Sequence, residues 1–374
     1  MKYKREKIGK YIHQVDERNY SGIDYLLGVS NDKKMIPSIA NINGTDLSSY
    51  KVVKMNQFVY GPVTSRNGDK ISISLYKEEN DCIVSSSYTV FELNVDSPIL
   101  SDFLYLWFVR PEFDRYARYM SHGSVREIFS WESLCNVEIP IPPIEIQEHI
   151  IENFDAINTY INNINQQNNL LVNYIDNYYN SLFKNAEKNS SIENISKKVI
   201  TGSTPSTENE AFWNGDIPFL TIPDMHDRCF QTSTERTITH EGLKNKKTKE
   251  LPVNSISVSC IGTGGLCVLT TEKCISNQQI NSIVCKDNID VLFLLTQLRI
   301  IKDDIINAGG GGTVGCNLSA TEFKKIKLFI PDESEMKNFG KKVSTFYNKI
   351  LINQKKLFEL ERTHSVYLSL LARI

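Results

Sequence analysis

Apolar positions along the chain fall into two long series with one spacing. The first runs Ile150, Phe154, Ile157, Ile161, Ile164, Asn168, Leu171, Ile175, Tyr178, Leu182. The second runs Phe339, Val343, Phe346, Ile350, Asn353, Leu357, Leu360, His364, Tyr367, Leu371. Both alternate steps of four and three residues over more than four heptads, the period of a coiled-coil seam. They predict helices from about Ile144 to Phe183 and from about Asp332 to Leu371. Every position in one series lies 189 residues from its counterpart in the other. The same offset relates Ser130 to Ser319, Leu134 to Phe323 and Pro142 to Pro331. Before each proline, apolar and polar residues alternate (Val137, Ile139, Ile141; Ile326, Leu328, Ile330), which predicts a short strand that the proline ends. The chain therefore reads as a duplicated unit: a globular head, a short strand and a long helix.

Two amphipathic helices could each pack on their own head, or the two could pair. Charge favours pairing. Residues 137–186 carry one basic and six acidic side chains, residues 326–374 nine basic and five acidic, so one helical segment is acidic and the other basic. The polar interruptions also favour it. Run antiparallel, a single register sets Asn168 opposite Asn353, Ile164 against Leu357, Leu171 against Ile350 and Ile175 against Phe346. An asparagine facing an asparagine can satisfy its amide; facing leucine it cannot. This register places a pseudo-two-fold axis near Gln166 and Lys355.

The heads, residues 1–136 and 187–325, read as mixed α/β (α+β). In the first, alternation predicts strands at Gln57–Tyr60, Lys70–Tyr76, Cys82–Val84 and Tyr88–Phe91. Turn chemistry at Asn43-Gly44 and Arg66-Asn-Gly-Asp69 separates them, and a helix covers Ser101 to Met120. In the second, strands are predicted around Ser255–Ser259 and Gly265–Leu269, then a helix from about Val291 to Ile306. The expected division is head 1–136, strand and helix 137–186, head 187–325, strand and helix 326–374.

Composition removes several classes. The 374 residues are 41% hydrophobic and 23% charged, ordinary for globular domains. No apolar run approaches the ~18 residues of a membrane helix, and no apolar signal core follows the N-terminus, so a cytoplasmic protein is expected. The eight cysteines form no C-x-x-C pair, so reduced, buried thiols are expected rather than zinc. Net charge is -2 overall. The heads are close to neutral, 0 for residues 1–136 and -1 for residues 187–325, which gives no sign of a polyanion by itself.

The second head carries Gly202-x-Thr-Pro-Ser-Thr207, Phe212-Trp-Asn-Gly-Asp-Ile-Pro-Phe219, Ile238-Thr-His-Glu-Gly242 and Asn277-Gln-Gln-Ile280. The first repeat carries Ile139-Pro-Ile-Pro-Pro-Ile-Glu-Ile-Gln147. Together these resemble the specificity subunits of type I restriction–modification enzymes, over the whole chain. The second repeat departs from that pattern, with Met336 where the first has Gln147. The resemblance implies two target-recognition domains, each reading half of a bipartite double-stranded DNA site, spaced by antiparallel helices. It also implies two methylation subunits and two restriction subunits that supply the chemistry, so no cofactor is expected on this chain.

Candidate base-reading residues are polar side chains in loops, since Arg and Lys match guanine edges and Asn and Gln match adenine. In the first head these are Ser65, Arg66, Asn67, Lys70 and Arg126. In the second they are Thr204, Asp224, His226, Thr263, Asn277, Gln278 and Thr313. For each, a solvated loop or a turn hydrogen bond is the competing reading. Tyr88 and Trp213 read as core. Gly309-Gly-Gly-Gly312 lacks the lysine of a phosphate-binding P-loop and, like Ser121-His-Gly-Ser124, reads as a turn near DNA or a plain connection. Asp332, Glu335 and Lys337 are the residues a stand-alone metal-dependent nuclease would use, but they open a helix instead of converging from separate strands. No tetrapeptide suited to flipping adenine is present, so binding of S-adenosylmethionine is not expected. A coiled-coil scaffold that binds only protein is the third alternative.

Overall fold

The computed structural model describes residues 3–38, 44–64, 70–123, 127–244, 246, 249–310 and 315–374. Its contacts form two compact units, residues 1–160 with 361–374 and residues 161–360. Each unit combines a head with parts of both long helices, where the sequence pattern had set the helices apart from the heads. The reason is that the helices bury more than a seam.

In the unit of residues 1–160 and 361–374, a four-stranded antiparallel sheet runs in the order Ile12–Val15, Thr89–Leu93, Phe58–Tyr60, Ile73–Leu75. Three of the four predicted strands supply its core: Phe58 stacks on Phe91 at 4.8 Å, and Phe108 meets Phe58 edge-on at 5.7 Å. Such pairs add about 0.5–1.5 kcal/mol beyond their burial. The fourth, Cys82–Val84, pairs with Lys51–Val53. The single helix expected from Ser101 to Met120 is two, Ser101–Phe108 and Pro111–Tyr119. Pro111 has no N–H to continue the ladder and stands at the start of a new helix, where that donor is not needed. Strand Arg5–Lys7 pairs antiparallel with Glu138–Pro140 ahead of the first scaffold helix, Ile144–Phe183.

In the unit of residues 161–360, a five-stranded sheet is ordered Ser196–Thr201, Ile280–Cys285, Ile256–Ser259, Cys267–Thr270, Phe230–Gln231. A three-stranded sheet holds Arg236–Ile238, Trp213–Leu220 and Ile275–Ser276. The expected helix to Ile306 again divides, into Val291–Ile300 and Lys302–Ala308. Strand Ser190–Ser191 pairs antiparallel with Lys327–Leu328, ahead of the second scaffold helix, Glu333–Leu370, the counterpart of the pairing in the other unit. Ser130 and Ser319 cap the short helices before these strands, each accepting from a backbone N–H three residues on.

The scaffold helices run antiparallel in both units. In the unit of residues 161–360, Asn353 Nδ2 donates to Asn168 Oδ1 at 2.8 Å, Tyr174 packs on Phe346 at 4.7 Å and Tyr178 on Phe339 at 5.5 Å. In the other unit, the Tyr367 hydroxyl donates to Ile150 O at 3.1 Å and Phe154 lies 4.5 Å from His364. Burial holds the His364 pKa below its usual value, so the ring sits neutral in the seam. The second face is one the heptad pattern does not show. Tyr347 is 1% exposed, bonds Thr296 through its hydroxyl at 2.9 Å and meets Phe230 edge-on, and with Met336 it joins the core of the second head.

Gln147 and Met336 explain each other. Gln147 is fully buried; its Oε1 accepts from Leu100 N at 2.9 Å and its Nε2 donates to Pro98 O and Pro142 O. Leu100, which caps the helix Ser101–Phe108, has no capping side chain, whereas the corresponding residue of the second repeat, Asp290, caps its own helix by accepting from Leu292 N and Phe293 N at 2.9 Å. At the position of Gln147 the second repeat places Met336, 1% exposed.

Two predictions follow from these buried contacts. Asn168→Leu or Asn353→Leu alone strands one amide and lowers stability by about 1–3 kcal/mol, while the double variant loses much less than the sum; urea unfolding of the full chain reads this, and additive losses would contradict it. Gln147→Met leaves three backbone groups unpaired and costs about 1–3 kcal/mol. Met336→Gln buries an amide without partners, so neither repeat tolerates the other's residue in the same unfolding assay.

Candidate nucleic-acid interface

In the second head, strand directions bring four loops to one end of the sheets. Thr201 pairs with Asn281 and Ser259 with Ile280, so the chain leaves strands Ser196–Thr201 and Ile256–Ser259 where Ile280–Cys285 begins. Leu220 pairs parallel with Ser276, so the segment after Leu220 arrives there too. The turn Asn277–Gln279 is the meeting point: Asn277 N donates to Leu220 O at 3.0 Å, Cys260 N to Gln279 O at 2.8 Å, and Ser203 N to Ser276 O at 2.8 Å.

Gly202 is required by this approach. A Cβ there would lie 2.0 Å from Asn277 O and 2.4 Å from Ser276 O. Two further motif stretches close around it. Gly215 lies under Ile238 O and Gly242 under Phe212 O, at 2.5 and 2.6 Å from where a Cβ would stand. Trp213 donates to Ser206 O at 2.9 Å, with the Arg236 guanidinium 3.6 Å over its ring. The four stretches quoted from the sequence thus form one contiguous patch. Trp213 is core, 9% exposed.

The candidate residues of this head divide by what already occupies them. Thr204 Oγ1 donates to Gln278 Oε1 at 2.5 Å; Thr204 is half-buried and Gln278 exposed, so this bond orients the Gln278 amide at the surface. Thr263 is exposed beside Gly262, whose φ is +76°. His226 is exposed at the end of the 3-10 turn Ile222–Met225. Asn277 is half-buried and serves the turn, accepting from Gln279 N and donating to Gln279 Oε1. Asp224 also serves the loop itself. It is 6% exposed, accepts from Thr221 N and Thr221 Oγ1 through one oxygen and from Glu235 N through the other, and forms a capping box. Its carboxylate braces the loop through three internal bonds. The sequence analysis also passed over Lys246, whose Nζ donates to Ser203 Oγ at 2.9 Å beside the patch.

In the first head, Lys70 Nζ contacts Asp32 Oδ1 at 2.9 Å, which holds the Asp32 carboxyl below its usual pKa. The hairpin tip bearing Asp32 is clamped by Lys33, at φ +61°. Its buried ammonium donates to Phe108 O at 2.6 Å and Asp114 Oδ1 at 2.7 Å, and burial depresses its pKa. Ser65, Arg66, Asn67 and Arg126, and Thr313 of the second head, lie outside the described residues. Thr64 N donates to Glu127 O at 2.9 Å.

The groups weighed for catalysis serve the fold. Asp332 Oδ1 accepts from Glu335 N at 2.8 Å and Lys337 pairs with Glu333, as at a helix start. Among the described residues, no group of three His, Cys, Asp or Glu side chains could hold a metal ion, and no helix is long and apolar enough to cross a membrane. Burial pushes the thiol of Cys260 up to about 11 and those of Cys274 and Cys285 to about 12, far from the range of a nucleophile.

This duplicated frame is the pattern of a known family. Residues 7–173 and again 186–362 match the type I restriction modification DNA specificity domain, and the chain belongs to that family. It is 36% identical over 168 residues to the type I restriction enzyme HindI specificity subunit of Haemophilus influenzae, covering 44% of this chain and 37% of that protein. It is 25% identical over 259 residues to the EcoR124I/EcoR124II specificity subunit of Escherichia coli, covering 65% and 64%. The matched region thus spans under two thirds of these relatives. The fold matches the crystal structure of the S subunit of a type I restriction–modification system from M. genitalium, with TM-score 0.58 and 14% identity over 99% of this chain and 96% of that one.

The close approach at Gly202 gives a further prediction. Under the DNA-reading function proposed below, Gly202→Ala pushes the 202–207 loop from the Asn277–Gln279 turn and weakens sequence-specific DNA binding by about tenfold, about 1.4 kcal/mol, with a smaller effect on melting. Binding on target and non-target duplexes, beside a thermal melt, checks this; unchanged discrimination would contradict it.

Proposed function

We propose that the chain is the non-catalytic, cytoplasmic DNA-specificity subunit of a type I restriction–modification enzyme. Each head reads one half of a bipartite site in double-stranded DNA. The antiparallel helices set the unread spacer and dock two methylation subunits, and two restriction subunits complete the enzyme. The observation that carries this reading is the convergence of the four motif stretches of the second head on one loop-bearing end, in a chain whose family is that of DNA specificity domains.

In this reading Thr204, Gln278, Thr263 and His226 face the duplex, with Asn277 holding the turn that presents Gln278. A glutamine amide matches the paired donor and acceptor on an adenine edge, a contact worth about 1–3 kcal/mol against the wrong base. The Thr204 bond fixes which way that amide points. In the first head Lys70 contributes beside Ser65, Arg66, Asn67 and Arg126. Thr313 joins the second head. The neutral heads imply a division of labour, because phosphate contacts dominate DNA affinity. The chain alone binds DNA weakly, and methylation subunits close around the duplex.

Exchanging residues 187–325 for those of another family member tests the reading. Methylome sequencing is expected to show one half-site changed, the other half-site retained and the spacer length unaltered. Alteration of both half-sites would mean that the heads do not read independently.

A further inference from the structure

A cleft of about 210 Å³ opens in the unit of residues 161–360, lined among others by Asn169, Asp227, Arg228, Gly265, Arg299 and Lys302. Two of its walls continue candidate reading loops. Asp227 and Arg228 follow His226 directly, and Gly265 is two residues beyond Thr263. A third wall is the first scaffold helix, through Asn168 and Asn169.

The cations here are held in place. Arg228 Nη1 donates to Ser233 Oγ at 3.1 Å. Arg299 donates to Cys229 Sγ, stands 3.8 Å from Asp176, and keeps a buried Nε with no partner among the described residues. The stem of Lys302 lies across Gly265, where a Cβ would come within 2.6 Å of Lys302 Cγ; Gly265 has φ +77°. Lysine stems pack on such surfaces while the ammonium stays in water. Among the described residues no carboxylate stands within ion-pair distance of that ammonium. Three cations face Asp227 at the cleft and Asp176 behind Arg299, an excess of one positive charge.

We infer that this cleft binds one backbone phosphate of the duplex beside the half-site read by the second head. The inference rests on the DNA-reading function proposed above. A phosphodiester carries a single negative charge, which balances the excess, and its neighbours on the strand lie over the loops of His226 and Thr263. Lys302 and Arg228 contact the phosphate, and Arg299 supplies charge from behind. Contacts of this kind fix the register of a protein on DNA and carry no base information.

The test uses the full chain assembled with methylation subunits, on a duplex bearing the methylated target and on one with a single base of the second half-site changed. Lys302→Gln and Arg228→Gln are expected to weaken binding to both duplexes by the same factor. Lys302→Gln also flattens the slope of log affinity against log salt by about 1. Replacing single phosphates with uncharged methylphosphonates should locate one position that matters to the parent and no longer matters to Lys302→Gln. Lys197→Gln, at the far end of strand Ser196–Thr201, removes the same charge and leaves that position sensitive. A Lys302→Gln protein with unchanged affinity and salt slope would overturn the cleft and leave the DNA-reading function standing. Loss of discrimination between the two duplexes would make the cleft a base reader, and failure to assemble without DNA would make it a protein dock; either overturns the inference. A parent with no preference between the duplexes would overturn the reading beneath it.

Discussion

Asn168 and Asn353 meet in a seam otherwise built from isoleucine, leucine and aromatic rings. An amide buried there without its mate costs about 1–3 kcal/mol, so every register but one is penalised twice, once for each asparagine. With 8% and 2% exposure, the pair leaves little room for water as a substitute. Leucine at both positions could bind more strongly and specify less. The geometry of the heads depends on this choice, because each head is packed on the helices rather than joined to them by a tether. A one-turn slip would drag Tyr347 out of the core it shares with Phe230 and Thr296.

The two repeats solve one packing problem in two ways. Both cap a short helix with serine, pair a two- or three-residue strand with the start of the head, and turn into a long helix. At the corner, one repeat buries a glutamine that binds three backbone groups and the other buries a methionine. The helix that follows is capped by its own Asp290 in one repeat, while in the other it starts at Leu100, whose N–H is met by Gln147. The frame is retained while its polar contacts are redistributed.

Much of this was legible in the sequence because it is periodic. The heptads, their 189-residue offset and the asparagine pair required only spacing. What the pattern missed has local causes. Pro111 stops a helix that hydrophobicity alone would continue. Tyr347 lies off the seam, on a face that becomes apolar only against the second head. Asp224 looks like any loop acid until its two oxygens are seen to accept three internal bonds. Arg236 over Trp213 and Lys246 on Ser203 join residues tens of positions apart, which no local pattern reveals. Gly202 could have been found: a glycine ahead of Thr-Pro in a loop is a mark of close backbone approach.

The central claim is that scaffold and readers are separable, the helices setting distance and the loops setting sequence. Inserting four residues into each scaffold helix, a little over one turn, adds ~6 Å of rise. At ~3.4 Å per base pair along a strand, methylome sequencing of cells carrying the lengthened protein is predicted to show a spacer longer by one or two base pairs between unchanged half-sites. An unchanged spacer, or half-sites altered by the insertion, would contradict the account.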